Sequence, residues 1–219
     1  MATVIIIGGN RGIGLSLCKQ FRDRGDHVIT TCRDDIGELN PSDIQVIQGV
    51  DVSQPQGIEK LQQAFEGKTL DMLIHSSGIL TNESFEDLDF DRIRAQFEVN
   101  TLGPLRMVHG LASHLKNGSK VGIISSRVGS LDDNGSGGMY GYRISKTAVN
   151  MVGVNLSHEL QPKGVSLALL HPGLVATKMT GGRGISPDES ARGLIQRMDE
   201  LTLENTGKFW HAEGYELPW

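Results

Sequence analysis

Tyr142 and Lys146 stand four residues apart in the run Tyr142-Arg-Ile-Ser-Lys146, a spacing that suits proton chemistry. On a helix, residues i and i+4 share a face, so a phenol and an ammonium there point toward one site. A free tyrosine has a reference pKa of about 10 and is a poor acid at neutral pH. A fixed positive charge beside it favours the phenolate and lowers that value. The expected product is a hydroxyl that exchanges a proton during carbonyl or alcohol chemistry. Taken alone, the motif also fits an ordinary surface pair on any helix. The surrounding chain decides which it is.

The helix itself is expected over Gly141–Leu160, where Ile144, Ala148, Met151, Val152 and Asn155 make a stripe at helical spacing. The elements before it alternate. Ala2–Gly8 is a continuous apolar run, as in a strand buried on both faces. A helix over Ile13–Arg24 and a strand over His27–Cys32 follow. Next come a strand over Ile44–Gln48, a helix over Gln54–Phe65 and a strand over Asp71–Ser76. Phe90–Asn117 carries one or two helices, broken near Gly103-Pro104. After a strand over Lys120–Ser125 and the Tyr142–Leu160 helix come a strand over Val165–Leu170, a helix near Pro187–Leu201 and a short strand at Lys208–His211. Strands alternating with helices imply βαβ units. The fold class is therefore α/β: a single doubly wound Rossmann domain over residues 1–219, with a central parallel sheet of about seven strands and helices on both faces. Met179–Pro187 is glycine-rich and reads as a mobile loop.

Gly8-Gly9-Asn10-Arg11-Gly12-Ile13-Gly14 follows the first strand and opens a helix, which is the context of a dinucleotide turn. Glycines let the backbone approach a pyrophosphate, and the helix N-terminus offers N–H groups and a partial positive charge. The spacing is G-x-x-x-G-x-G rather than the commoner G-x-G-x-x-G. The second strand ends at Cys32-Arg33. An arginine there accommodates a 2′-phosphate, and Arg11 in the turn supplies a second guanidinium, so NADP(H) is favoured over NAD(H). Asp34-Asp35 immediately after is the competing observation. Asp51-Val52 follows the third strand, where the acid either accepts from an adenine amino group or caps the next helix. Ser125-Ser126 ends the fifth strand, where open parallel sheets bind ligands.

A chain of 219 residues suffices for one well-buried domain. A net charge of −5 gives no basic footprint for nucleic acid. Cys18 and Cys32 suggest neither a bridge nor a metal site. With no apolar run long enough for a membrane span and no signal peptide, a cytoplasmic protein is expected.

The glycine turn, V-N-T-L-G-P around Asn100, S-S-R-V-G-S, Y-R-I-S-K and H-P-G-L-V-A-T occur in order across Ile7–Trp219. Together they resemble the short-chain dehydrogenase/reductases. The long serine-to-tyrosine stretch and the ending G-K-F-W-x-x-x-G-Y-E-L-P-W resemble one branch, the C-factor or sniffer-like group of small carbonyl-reductase relatives. The resemblance implies that Tyr142 is the proton donor or acceptor and that Lys146 lowers its pKa and holds the nicotinamide ribose. It implies that Ser126, in preference to Ser125, orients the carbonyl. Asn100 would support a water linking Lys146 to solvent, and Pro172, Gly173, Val175 and Thr177 would line the nicotinamide and phosphate side. Tyr140 is a rival phenol, but Ile144 stands where its lysine would be. His171 reads as a packing residue. Where the family shows N-N-A-G, this chain has His75-Ser76-Ser77-Gly78. Ser76, Ser77 and Gly78 are still expected along the cofactor, because the kept glycine lets the backbone approach a ribose.

The implied function is NADPH-dependent hydride transfer between the cofactor and a small-molecule carbonyl or alcohol, with no metal. A homodimer or homotetramer is implied through the helices Leu102–Lys116 and Tyr142–Leu160. Two other readings remain: a cofactor-binding signalling protein with little turnover, and an NADH-linked alcohol dehydrogenase.

Overall fold

The structure, a computed structural model, describes residues 1–219. β1 (Thr3–Ile7) is apolar on both faces because both faces are covered, and Val4 through Ile7 are fully buried. Each buried branched side chain there contributes about 1.5–3 kcal/mol of apolar burial. The chain continues through α1 (Gly12–Asp23), β2 (His27–Cys32), β3 (Gln45–Gln48), α2 (Pro55–Ala64) and β4 (Leu70–His75). After α3 (Phe90–Phe97) and α4 (Gly103–Leu111) come β5 (Leu115–Ile124), α5 (Tyr140–Leu160), β6 (Ser166–His171), α6 (Pro187–Glu200) and β7 (Phe209–His211). The strands form one seven-stranded sheet in the order β3-β2-β1-β4-β5-β6-β7, with every pairing parallel.

Two apolar cores lie on the two faces. One joins the sheet to α2, α4 and α5 through Leu61, Met107, Val108 and Val149. The other joins it to α1 and α6 through Leu17, Phe21, Leu194 and Met198. The fold is thus the doubly wound Rossmann arrangement expected. Strand order reverses between β1 and β4, so a crevice opens at their carboxyl ends. The glycine turn, His75–Gly78, Ser126 and Pro172 all follow strands that end on this side.

Three local expectations need correction. The helix near Gly103 is not broken: Glu98–Leu102 forms one π-helical turn, closed by Gly103 N–H donating to the Glu98 carbonyl. Pro104 lies in the first turn of α4, where its missing N–H costs nothing. β5 begins at Leu115, earlier than expected, and its register shifts between Leu70 and Met72 of its partner β4. The stripe Ile144-Ala148-Met151-Val152-Asn155 is not the buried face of α5. Ile144 is 50% and Met151 62% exposed, while Ser145, Lys146, Val149, Asn150, Gly153, Ser157 and Leu160 face inward. The reason is distance. A Cβ on Gly153 would stand 2.7 Å from the Leu169 side chain, so α5 approaches the sheet too closely for bulky residues. At the base of the Met179–Pro187 loop, the Ala176 N–H donates to the Ile185 carbonyl and the Ile185 N–H to the Leu174 carbonyl.

Candidate active site

The crevice begins at the glycine turn. Arg11 caps α1 in extended backbone with no side-chain bond to the first turn. By contrast, Asp89 and Ser186 cap α3 and α6 with their side chains. The first N–H groups of α1 therefore remain open to an anion. Gly12 has φ +53°, and a Cβ on it would lie 3.3 Å from the Thr177 methyl, so a side chain would narrow the gap between turn and Thr177. The opposite wall is Ser77, whose hydroxyl stands 2.3 Å from where a Gly8 Cβ would be. Ile13 packs beneath the turn, against the α1–α6 core. Gly14 meets the Gly8 carbonyl so closely that only hydrogen fits. The residues present thus fit a dinucleotide pyrophosphate: open N–H groups, a side-chain-free cradle and flanking hydroxyls.

At the far end of the turn, the Asn10 amide donates to the Asp35 carbonyl at 2.9 Å and docks the loop after β2. Arg11 is exposed and in no ion pair, whereas Arg33 is held by Asp34 at 2.8 Å. Asp51 does not cap α2. Its Oδ1 accepts from the Ser53 N–H and hydroxyl, folding a turn before the helix, while Gln54 is the N-cap and Pro55 begins α2. Val52 is buried against Gly103. Ser76 extends the β4–β1 ladder by donating to Ile7. On the β6 side, the Pro172 carbonyl accepts from Ser190, Gly173 follows with φ +85°, Val175 is bridged to Ile185, and Thr177 opens a capped turn over Lys178–Thr180. His171 ends β6 with its ring edge-on to His211 at 4.9 Å and its Nδ1 buried without a partner.

Gly78 leads from this crevice to the candidate catalytic side chains. A Cβ on it would be 3.3 Å from Asn100 Oδ1 and 3.9 Å from Lys146 Nζ. Asn100, in the π-helical turn, accepts from the Ile79 N–H and donates to the Ile79 carbonyl and the Ser145 hydroxyl, stapling the segment after β4 to α5. Lys146 is 4% exposed and donates to the Ile124 carbonyl at 2.9 Å. Its Nζ lies 5.7 Å from the Tyr142 ring centroid. Ser126, nearly buried, adjoins the phenol, and its hydroxyl also accepts from Val128 N–H. Ser125 instead donates to Asn150 at 2.5 Å and is buried away from the crevice. Tyr140 is exposed at the helix start.

Burial governs the ionisation of this cluster. It pushes Lys146 down to about 8 and Tyr142 up to about 12, with the Ser126 hydroxyl opposing the second shift. The expectation that Lys146 lowers the Tyr142 pKa is therefore outweighed in the protein alone. Loss of water favours both neutral forms more than a cation at 5.7 Å favours the phenolate.

Several supports were not visible in sequence. Glu83 is buried, takes a bond from the Thr81 hydroxyl, and accepts from Gln96 Nε2 at 3.2 Å and from Gly141 N–H at 3.3 Å. It holds the start of α5, one residue before Tyr142, yet in the sequence it lies in an acidic stretch that reads as solvated. Arg143 forks onto the Gly137 and Val128 carbonyls and the Ser136 hydroxyl, bracing the loop between Ser126 and Tyr142. The Trp219 carbonyl accepts from Leu131 and Asp132 N–H groups and the Ser130 hydroxyl, bracing it from the other side. Ser145, inside Y-R-I-S-K, was the one support with a sequence signal, being polar and adjacent to Lys146.

A Rossmann sheet with an uncapped glycine turn at its crevice and a buried tyrosine–lysine pair beside a serine defines a nucleotide-dependent oxidoreductase class. Similarity gives the family. The family described as short chain dehydrogenase matches residues 2–186, and this chain belongs to it. The chain is 46% identical, over the whole of both proteins, to 1-hydroxy-2-glutathionyl-2-methyl-3-butene dehydrogenase of Rhodococcus sp. (strain AD45). It superposes over its full length on the carbonyl reductase Sniffer of D. melanogaster, covering all of that chain, with a TM-score of 0.90 and 27% identity. A short-chain dehydrogenase/reductase from Burkholderia multivorans with bound NADP gives a TM-score of 0.87 and 28% identity, over 100% of this chain and 99% of that one. The protein is an oxidoreductase of this family.

The turn after Ser126 sets one measurable dependence. A Cβ on Gly129 would stand 2.6 Å from the Lys146 carbonyl carbon, a backbone atom with no rotamer to yield. Gly129→Ala is expected to displace Ser126 from the α5 residues and to lower kcat about a hundredfold, the scale of an ångström misplacement. Steady-state kinetics of the folded variant check this. An unchanged kcat would show that the Gly129–Lys146 contact does not position the cluster.

Proposed function

We propose that this chain is an NADPH-dependent reductase of small-molecule carbonyls, or runs the reverse alcohol oxidation, and that residues 1–219 form one cofactor-binding domain. The observation that carries the reading is the buried Lys146 ammonium 5.7 Å from the Tyr142 ring, beside Ser126 and at the end of the crevice. When bound, the cofactor supplies or accepts hydride at its nicotinamide C4. The α1 N-terminus, Gly8–Gly14, Ser77 and Thr177 would hold its pyrophosphate, and Lys146 its nicotinamide ribose. In reduction, Tyr142 Oη passes its proton to the substrate oxygen while Ser126 Oγ donates a hydrogen bond to the same atom. The Lys146 charge stabilises the phenolate that Tyr142 becomes. Asn100 keeps α5 and the Ile79 segment in register throughout.

Tyr142→Phe removes the proton and is expected to abolish turnover of a carbonyl panel while leaving NADPH affinity within about threefold, a loss of transition-state stabilisation alone. Retained turnover would remove Tyr142 from the mechanism. Burial pushes the Lys146 ammonium down to about 8, so its charge is lost as pH rises through the assay range. The reductive rate is therefore expected to fall as pH rises through that value, and a profile flat from pH 7 to about 9.5 would count against Lys146 as the charge that matters.

The preference for NADPH rests on Arg11, which has no carboxylate partner, and on Arg33, which would have to leave Asp34. Replacing both by Ala is expected to raise the NADPH Kd about 10- to 100-fold and to leave NADH nearly unchanged, the scale of charge-assisted hydrogen bonds. Cofactor-fluorescence titrations read this. Equal losses for both cofactors would refute a phosphate clamp.

The Rhodococcus relative, by its name, acts on a glutathionyl alcohol. Exposed Lys178 and Arg183 stand in the turn after Thr177, and the anionic thioether of such a substrate suits them. A glutathione-conjugated alcohol therefore belongs in the substrate panel.

The outward Ile144 and Met151 lie seven residues apart on one face of α5 and suit a twofold contact with a second copy. Sedimentation velocity is expected to show an oligomer that Met151→Asp weakens. A monomeric wild type would end this reading.

A further inference from the structure

His75 closes β4 and is 1% exposed. Its backbone pairs in register with Ile7 of β1 and Ile123 of β5. Its side chain therefore joins theirs on the face that α4 and α5 cover. In this apolar row neither ring nitrogen has a hydrogen-bond partner in the protein. Burial, and secondarily the Lys146 charge, push its pKa down to about 3, so the ring is neutral, with one donor and one acceptor nitrogen. Each unpaired buried polar atom is unfavourable. Packing alone does not account for an imidazole where an apolar side chain would fill the same row.

What surrounds the ring indicates its partner. Lys146 is the charge that the imidazole feels. Its Nζ donates to the carbonyl of Ile124, one residue beyond His75's strand neighbour, and an ammonium has two further donors. Asn150, one turn further along the same face of α5, has its Nδ2 buried and unpaired while its Oδ1 accepts from Ser125. A cation with spare donors, an amide with a spare N–H and an imidazole with a spare lone pair thus share the layer between α5 and the ends of β4 and β5.

We propose that His75 is a positioning residue for Lys146: one buried water accepts from the Lys146 ammonium and the Asn150 amide and donates to the unprotonated ring nitrogen. The ring fixes where the Lys146 charge sits beneath Tyr142 and keeps it charged to higher pH than burial alone allows. The consequence for turnover rests on the reading of Tyr142 and Lys146 given above; the hydrogen bond does not. The other ionisable groups around Lys146 are Tyr142 on its own helix and His171 on β6, with Arg127 beyond His171. β1 and β5 present only isoleucines there, and the π-helical turn presents Asn100 and Thr101, none of which titrates.

The test uses the protein alone. Labelling lysine at Cε and following an NMR pH titration reads the Lys146 midpoint, with the Lys146→Arg spectrum assigning the resonance. In His75→Leu the midpoint is expected to move down by about one pH unit, the size of one lost hydrogen bond to a charged group. His75→Asn, which keeps a carbonyl acceptor, is expected to move it less. An unchanged midpoint in folded His75→Leu overturns the proposal, as do equal shifts in the two variants. If neither variant folds, the long-range 1H–15N spectrum of wild-type His75 decides: a hydrogen-bonded acceptor nitrogen supports the proposal and a free lone pair overturns it. Because the readout is a titration, absence of turnover on every carbonyl tried would sink the functional reading and leave this one standing.

Discussion

Lys146 carries its charge into a part of the protein that offers no carboxylate to meet it. Burial alone drives its pKa from 10.5 to about 8, a bias of about 3 kcal/mol against the ammonium. Such a bias persists only where the surrounding structure is rigid enough to leave the side chain no exit. The close seating of α5 supplies that rigidity. Gly153 lets the helix lie against Leu169, and Gly129 lets the turn after Ser126 lie against the Lys146 backbone. Thr147 closes the same contact by donating to the Gly129 carbonyl. Each of these approaches brings backbone or small side chains where a protein core normally places large ones.

The π-helical turn serves the same constraint. An uninterrupted α-helix through residues 98–102 would rotate Asn100 relative to everything after it by a full residue step. The extra residue in the turn allows Asn100 to face Ile79 and Ser145 while α4 continues to bury Met107 and Val108. Two segments far apart in sequence are fixed to α5 by one side-chain amide. Glu83 performs a parallel task at the helix start, where its carboxylate meets the Gly141 N–H at the positive end of the helix dipole. The phenol of Tyr142 is thus placed by bonds to its neighbours on either side of it, through Gly141 and through Ser145 onto the Tyr142 carbonyl.

The sequence disclosed the elements that are periodic and the turns that are rich in glycine. β1, the Gly8–Gly14 turn, β2 and the Tyr142–Lys146 spacing were legible because each has a strong local cause: apolar runs, conformational need, or helical geometry. What it concealed depends on contacts between distant segments. Nothing local marks Glu83 as buried, because Asn82 through Asp91 reads as a solvated acidic loop until Gln96 and α5 close over it. The inward face of α5 is hidden for a related reason. Periodicity finds the apolar stripe, but here that stripe, Ile144 and Met151, looks outward, and the sheet takes the small and polar side. Asp51 reads in sequence either as an acceptor for an adenine amino group or as the cap of the next helix, and the structure removes the second role by placing Gln54 at the cap ahead of Pro55.

One physical cause moves Tyr142 and Lys146 in opposite directions. Exclusion of water penalises whichever form is charged, so the lysine becomes easier to deprotonate and the tyrosine harder. Below about pH 8 the bare site therefore holds an ammonium and an intact phenol, a proton-rich pair suited to giving a proton to a developing alkoxide. Running the chemistry toward the carbonyl needs the phenolate, and the lysine alone, 5.7 Å from the ring and bonded to the Ile124 carbonyl, does not generate it. With Tyr142 as the proton acceptor proposed above, deprotonating it would take further positive charge at the crevice end of the site, which an oxidised nicotinamide would bring. On that reading the charge brought by the cofactor, and not the protein's own side chains, would set the direction of proton flow.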